Sequence, residues 1–136
     1  MHPDDAAMAA RLGADGVIVS NHGGRQIDGS ASPIDVLPAI ADAVPHTVVM
    51  MDSGIRRGTD VLKALSQRAR YVFNGRSFNY AATVAGTQGV RHAISLLRAE
   101  VIVTWCISAS IVSRKRMLRS SGADSAKGRH HPLRKI

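Results

Sequence analysis

Three short apolar runs, each ending abruptly in a glycine-bearing polar loop, constrain the fold of this chain more than any other feature. Gly16-Val17-Ile18-Val19, Thr47-Val48-Val49-Met50-Met51 and Tyr71-Val72-Phe73-Asn74 are short, rich in β-branched and aromatic residues, and read as strands. The second is continuously apolar, which predicts a parallel strand covered on both faces. Helical signals separate the runs. Pro3-Asp4-Asp5 opens a helix over residues 6–12 that Gly13 stops. Ile34, Val36, Leu37, Ile40 and Val44, framed by Pro33 and Pro38, have the spacing of a helix packed on a sheet. A third helix is predicted over 59–65, and two more over 78–85 and 90–100. Strict alternation of helix and strand argues for right-handed βαβ units and a parallel sheet.

The loops after these strands hold the candidate chemistry. The first run leads into Ser20-Asn21-His22-Gly23-Gly24-Arg25-Gln26-Ile27-Asp28. An imidazole and a fixed cation three positions apart suit a small substrate carrying a hydroxyl and a carboxylate: His22 for the hydroxyl proton, Arg25 for the carboxylate fork. On spacing alone, an ordinary loop histidine stays open as the other reading. Gly23 and Gly24 let backbone and ligand approach closely. The second run ends in Asp52-Ser53-Gly54-Ile55-Arg56. These residues are either a turn that caps the helix at 59–65 or a site where Asp52 meets cofactor hydroxyls and Arg56 a phosphate. The third run ends in Gly75-Arg76, just before a helix, where anions bind readily.

These three motifs carry a resemblance. Ser20 to Asp28 is similar to the active-site signature of the FMN-dependent α-hydroxy acid dehydrogenases and oxidases, the family of L-lactate dehydrogenase, glycolate oxidase and mandelate dehydrogenase. The likeness runs from about His2 to Glu100 and includes Asp52-Ser53-Gly54-Ile55-Arg56 and Gly75-Arg76 in the right order at compatible spacings. It implies an α/β fold, the C-terminal portion of a TIM (β/α)8 barrel, because a whole barrel takes about 250 residues. The 136-residue chain would hold about three βα units, from about the sixth strand to the last helix. The resemblance also implies FMN as cofactor and oxidation of a small, lactate-like L-2-hydroxy acid to the 2-oxo acid. His22 would be the general base and Arg25 would hold the substrate carboxylate. Ser20, Asp52, Ser53, Gly54, Ile55, Arg56, Gly75 and Arg76 would contact FMN, with Arg56 and Arg76 at its phosphate.

Members of the family are often homo-oligomers, and oxygen, a quinone or a cytochrome can serve as electron acceptor. The family's lysine near the flavin ring, the acidic partner of its histidine and its substrate tyrosines lie on earlier strands. The chain by itself is therefore expected to be inactive. A non-catalytic remnant and another phosphate-binding barrel enzyme are the alternatives. Three departures from the family stand out. Gln67-Arg68 replaces an apolar residue and a helix-ending glycine, and a left-handed residue there would cost about 1 kcal/mol. Ser77 replaces a usual proline. Asn74 replaces an apolar strand residue, and an inward, unpartnered Asn74 would cost about 1–3 kcal/mol.

The net charge of +8 is unevenly placed. Residues 1–100 carry ten Lys/Arg and nine Asp/Glu, whereas residues 101–136 carry eight and one. The basic character belongs to the end of the chain, and a nucleic-acid partner is not expected. Residues 101–112 form an apolar run too short to span a bilayer as a helix. Arg114-Lys115-Arg116 begins a Ser-, Gly- and Arg-rich stretch expected to be disordered. The chain thus divides into a partial barrel, 1–100, and a divergent basic tail, 101–136, unrelated to the body. Cys106, the single cysteine, excludes an internal disulfide and fits a reducing compartment. No secretory leader is expected from Met1-His2-Pro3-Asp4-Asp5. The expected placement is cytoplasmic, with peripheral association at the inner face of the membrane as a variant of it. His46 and His92 read as surface residues and Met50-Met51 as core. His130-His131 has no cysteine or acidic cluster beside it, so no metal site is expected.

Overall fold

The structure, a computed structural model, describes residues 1–127, with side-chain surroundings for residues 1–110. Helix α1 (Pro3–Arg11) begins with proline at its start, and His2 Nδ1 accepts the Asp4 amide at 3.2 Å. It stops ahead of Gly13, whose φ is +94°. Then follow β1 (Gly16–Val19), a single 3-10 turn (His22–Gly24), α2 (Pro33–Ala43), β2 (Val48–Met51), α3 (Gly58–Ser66), β3 (Tyr71–Val72) and α4 (Arg76–Lys127). The strands form one parallel sheet in the order β1-β2-β3. The alternation of elements predicted from sequence is the one observed, although β3 ends two residues earlier than its apolar run.

The register decides which side chains meet. Val17 pairs with Val49, Val19 with Met51, and Met51 with Val72, so these residues share one face of the sheet. On that face Val19, Val49 and Met51 pack with Leu37, Ile40, Ala41 and Val44 from α2 and its end, Ala6 of α1 and Ala64 of α3. This is the core. The opposite face differs from expectation. Ile18 is 54% exposed and Tyr71 63%, so β2 is covered on one side rather than both. An apolar run without alternation says that both faces suit apolar neighbours; among the described residues only one face meets them.

Helix α4 is interrupted at Ala85 and Gly86, where Gly86 takes φ 52°. The break falls between the two helical runs predicted on either side of it. Past Glu100 the helix does not stop, and from Arg114 the chain departs from the expected disorder: α4 continues through Lys127. Residues 128–136, including His130-His131, lie outside the described residues. The apolar run at 101–112 is thus no isolated segment, and the stretch Arg76–Ser110 is by length and composition long enough to cross a membrane. Towards its C-terminal third, however, that stretch is committed to the body. Glu100 Oε2 accepts the Gly58 amide at 2.7 Å, placing a carboxylate at the start of α3. A Cβ on Gly58 would lie 2.4 Å from the Val101 nitrogen, so only glycine allows this approach.

Candidate active site

The ends of all three strands open on one side of the sheet, and the loops that follow them line one cleft of about 580 Å3. His22, Arg25, Asp52, Ser53, Gly54, Ile55, Arg56, Gly75 and Arg76 all border it. Nine of the ten residues singled out from the sequence are thereby brought together. Ser20, the tenth, sits beneath them and hydrogen-bonds Asp52.

The loop after β1 is held in an unusual shape. Asn21 Oδ1 accepts the Gly23 amide at 3.0 Å, and the Gly24 amide reaches Asn21 O at 3.0 Å. His22 lies at φ 52°, a left-handed conformation that costs a non-glycine residue about 1 kcal/mol. Gly23 follows at φ 68°, and a Cβ there would stand 2.8 Å from Arg76 Nη2. That close approach has a purpose: Arg76 Nη2 donates to Gly23 O at 2.9 Å, joining the third motif to the first. Among the described residues, no hydrogen bond or ion pair engages the His22 imidazole or the guanidinium groups of Arg25 and Arg56. All three face the cleft with their donors and acceptors free for a ligand.

The second motif lies between the other two. Ser20 Oγ donates to Asp52 Oδ2 at 2.7 Å and Ser53 Oγ donates to the same oxygen at 3.1 Å. Partial burial pushes the Asp52 carboxyl up; the hydrogen bonds from Ser20 and Ser53 and the nearby His22 together outweigh this and hold it below its ordinary value. Ser53, like His22, is left-handed at φ 78°. The turn-capping reading of this segment holds in part: Asp60 Oδ2 accepts the amides of Arg56 and Arg57 at 3.1 and 3.0 Å. That leaves the Arg56 guanidinium free.

The residues fit a phosphorylated flavin. A Cβ added at Gly54 or Gly75 would meet nothing within 4 Å, so ligand atoms can reach backbone there. Arg56 and Arg76 border the same cleft beside Arg25, and α4 begins there at Arg76 and Ser77, the amides of Phe78 and Asn79 being taken by the Gly75 carbonyl at 3.0 and 3.2 Å. The sequence reading missed Phe73, Asn79 and Tyr80, which also line the cleft. Asn79 and Tyr80 lie at the end of the first turn of α4 and the start of its second, and a helix N-terminus after a Gly-Arg loop was the signal that could have found them. The two costs expected at Arg68 and Asn74 are both present. Arg68 takes φ 75° and pairs with Asp42, and Asn74 Oδ1 is buried without a hydrogen-bond partner among the described residues. His46 and His92 are exposed.

A family model described as FMN-dependent dehydrogenase matches residues 1–108. The chain belongs to the FMN-dependent dehydrogenase family. L-lactate dehydrogenase of Pseudomonas paraeruginosa (strain DSM 24068 / PA7) is 43% identical over 128 residues, covering 90% of this chain and 34% of the relative. L-lactate dehydrogenase of Alcaligenes faecalis is 46% identical over 110 residues, covering 80% and 29%. Among solved structures, an active mutant of (S)-mandelate dehydrogenase is similar with a TM-score of 0.74 at 41% identity, covering 76% of this chain and 29% of that one. Mandelate oxidase with benzoyl-formic acid gives a TM-score of 0.72 at 45% identity, covering 74% and 30%. The chain therefore spans about a third of the length of the relatives it matches. Its family uses FMN. A match over 90% of the chain also takes in part of the stretch after Glu100, which the sequence reading set apart as unrelated.

Proposed function

We propose that this chain carries the FMN-phosphate side and the proton-accepting histidine of an enzyme that oxidises a small L-2-hydroxy acid to the 2-oxo acid. The observation that supports it best is the shared cleft: His22 and Arg25 border it together with Asp52, Arg56 and Arg76. A hydroxyl-directed base, a carboxylate-directed cation and two phosphate-directed cations on one wall suit a 2-hydroxy acid beside a phosphorylated cofactor. In this reading the three βα units are the last three of the (β/α)8 barrel. All ten site residues fall within residues 1–100, and the tail 101–136 takes no part in the chemistry.

The roles follow from the side chains. Arg25 orients the substrate through a two-point contact with its carboxylate. The His22 imidazole takes the hydroxyl proton as the carbon is oxidised. Asp52, held ionised by Ser20 and Ser53, accepts from cofactor hydroxyls, with Gly54 and Ile55 beside it. Arg56, Gly75 and Arg76 take the phosphate. FMN, when bound, supplies the two-electron acceptor, and the protein supplies orientation and proton movement.

The test uses a graft in which residues 1–108 replace the matching third of the Pseudomonas paraeruginosa L-lactate dehydrogenase. The FMN-loaded graft is mixed anaerobically with L-lactate, glycolate or L-mandelate, and bleaching of the flavin is followed by stopped flow. Reduction by at least one acid is expected. A graft that folds, binds FMN and is reduced by none of the three would contradict the proposal.

A further inference from the structure

Two non-glycine residues of the cleft are left-handed, His22 at φ 52° and Ser53 at φ 78°, and they are tied to each other. Ser53 Oγ accepts the Gly23 amide at 2.9 Å, and Ser20 Oγ accepts the His22 amide at 3.1 Å. Each hydroxyl has one proton, and the charged Asp52 Oδ2, 2.7 Å from Ser20 and 3.1 Å from Ser53, is a stronger acceptor for both than the 3.3 Å contact between the two hydroxyls. The carboxylate therefore fixes which way the two hydroxyls point. Their lone pairs are left facing two successive amides of the His22 turn. Gly23 is held at the next peptide as well, since its carbonyl accepts from Arg76 at 2.9 Å.

A glycine would take φ 78° without strain, so position 53 carries a serine at some cost to its own backbone. The hydroxyl is what that cost obtains. We propose that Ser53 is a positioning residue for His22: its hydroxyl, aimed by Asp52, holds the Gly23 amide and so keeps the left-handed His22 turn over the cleft. This rests on His22 being the proton acceptor proposed above. It adds a link between the two halves of the site, because the carboxylate assigned to cofactor hydroxyls also sets the backbone that presents the base. Asn21 Oδ1, 3.0 Å from the same Gly23 amide, is the competing acceptor that the test must separate.

The experiment uses the 136-residue chain without cofactor, comparing Ser53→Ala, Ser53→Gly and the parent by 15N NMR hydrogen exchange. Ser53→Ala removes the hydroxyl and keeps the strained Cβ; Ser53→Gly removes both. If the hydroxyl is the grip, Gly23 amide exchange rises about tenfold in both variants, the worth of one neutral hydrogen bond. The Asp52 carboxyl, read by 13C NMR, should titrate at higher pH in both. Amides of β2 serve as the internal reference, and should Ser53→Ala loosen the whole sheet, Ser53→Gly, free of strain, decides. Unchanged Gly23 exchange in both variants would mean that Asn21 suffices and would overturn the proposal. So would acceleration in Ser53→Ala alone, which would assign the effect to strain. No flavin enters these measurements, so failure of the graft to react with 2-hydroxy acids would sink the proposed function separately.

Discussion

Gly58→Ala sets sequence propensity against packing, and the structure decides the sign. Alanine is favoured over glycine in a helix by about 1 kcal/mol, so propensity alone makes the change stabilising. The added Cβ would lie 2.4 Å from the Val101 nitrogen and 2.6 Å from the Glu100 carbonyl carbon, both backbone atoms that no rotamer change can move. Relief requires α3 and α4 to separate. Overpacking of this kind costs about 1–3 kcal/mol. Separation also breaks the hydrogen bond from the Gly58 amide to Glu100 Oε2. Glu100 is exposed, so its carboxylate at the start of α3 contributes less than about 1 kcal/mol. The net expectation is a loss of about 1–3 kcal/mol, since little of the propensity gain survives in the first helical turn. Urea unfolding followed by circular dichroism measures it, with Glu100→Gln as a companion that should lose less. A Gly58→Ala chain as stable as the parent, or more so, would refute the close approach of α4 to α3 at Glu100 and Val101.

The chain by itself, given FMN and an artificial electron acceptor, should not turn over L-lactate, glycolate or L-mandelate, because the sheet has two open edges and an open face; sustained turnover lost in His22→Ala would overturn this. In the graft, Arg25→Lys should raise KM for L-lactate about tenfold or more while changing kcat less, since a point charge cannot reproduce the two-point contact; steady-state kinetics would reveal an unchanged KM. The Asp52 carboxyl lies below its ordinary value of 3.8, so the stability it lends the His22 turn is complete above that pH and is lost as pH falls through the lower folded value. Gly23 amide protection, corrected for intrinsic exchange, should therefore hold constant from about pH 5 upward and drop only in that acidic window; a drop near neutrality would point to another group.

Much of the fold was legible because each signal was local. Val17–Val19 and Val48–Met51 are short apolar runs, and Gly13 and Gly86 mark helix ends by their backbone needs. The left-handed Arg68 and the unpartnered Asn74 could likewise be foreseen, because each stands where the family has a residue without that cost. What was not legible depends on contacts between distant positions. Ser53 meets Gly23 across thirty residues, so sequence could assign it to a cofactor motif but not to the His22 turn. The single covered face of β2 was hidden for a similar reason: an apolar run reports that a face can be buried, and the neighbours decide whether it is. The continuation of α4 past Glu100 was obscured by composition, since Ser-, Gly- and Arg-rich sequence lacks an apolar stripe.

The claim that His22 is the base for a 2-hydroxy acid has one most direct test. In the FMN-loaded graft, His22→Gln keeps a side chain of similar reach but cannot take a proton. Stopped-flow reduction by L-lactate should slow by about a hundredfold or more, while the variant stays yellow with FMN bound at the parent's affinity. Reduction at near the parent rate by the His22→Gln graft would contradict the claim, whatever the cleft around it looks like.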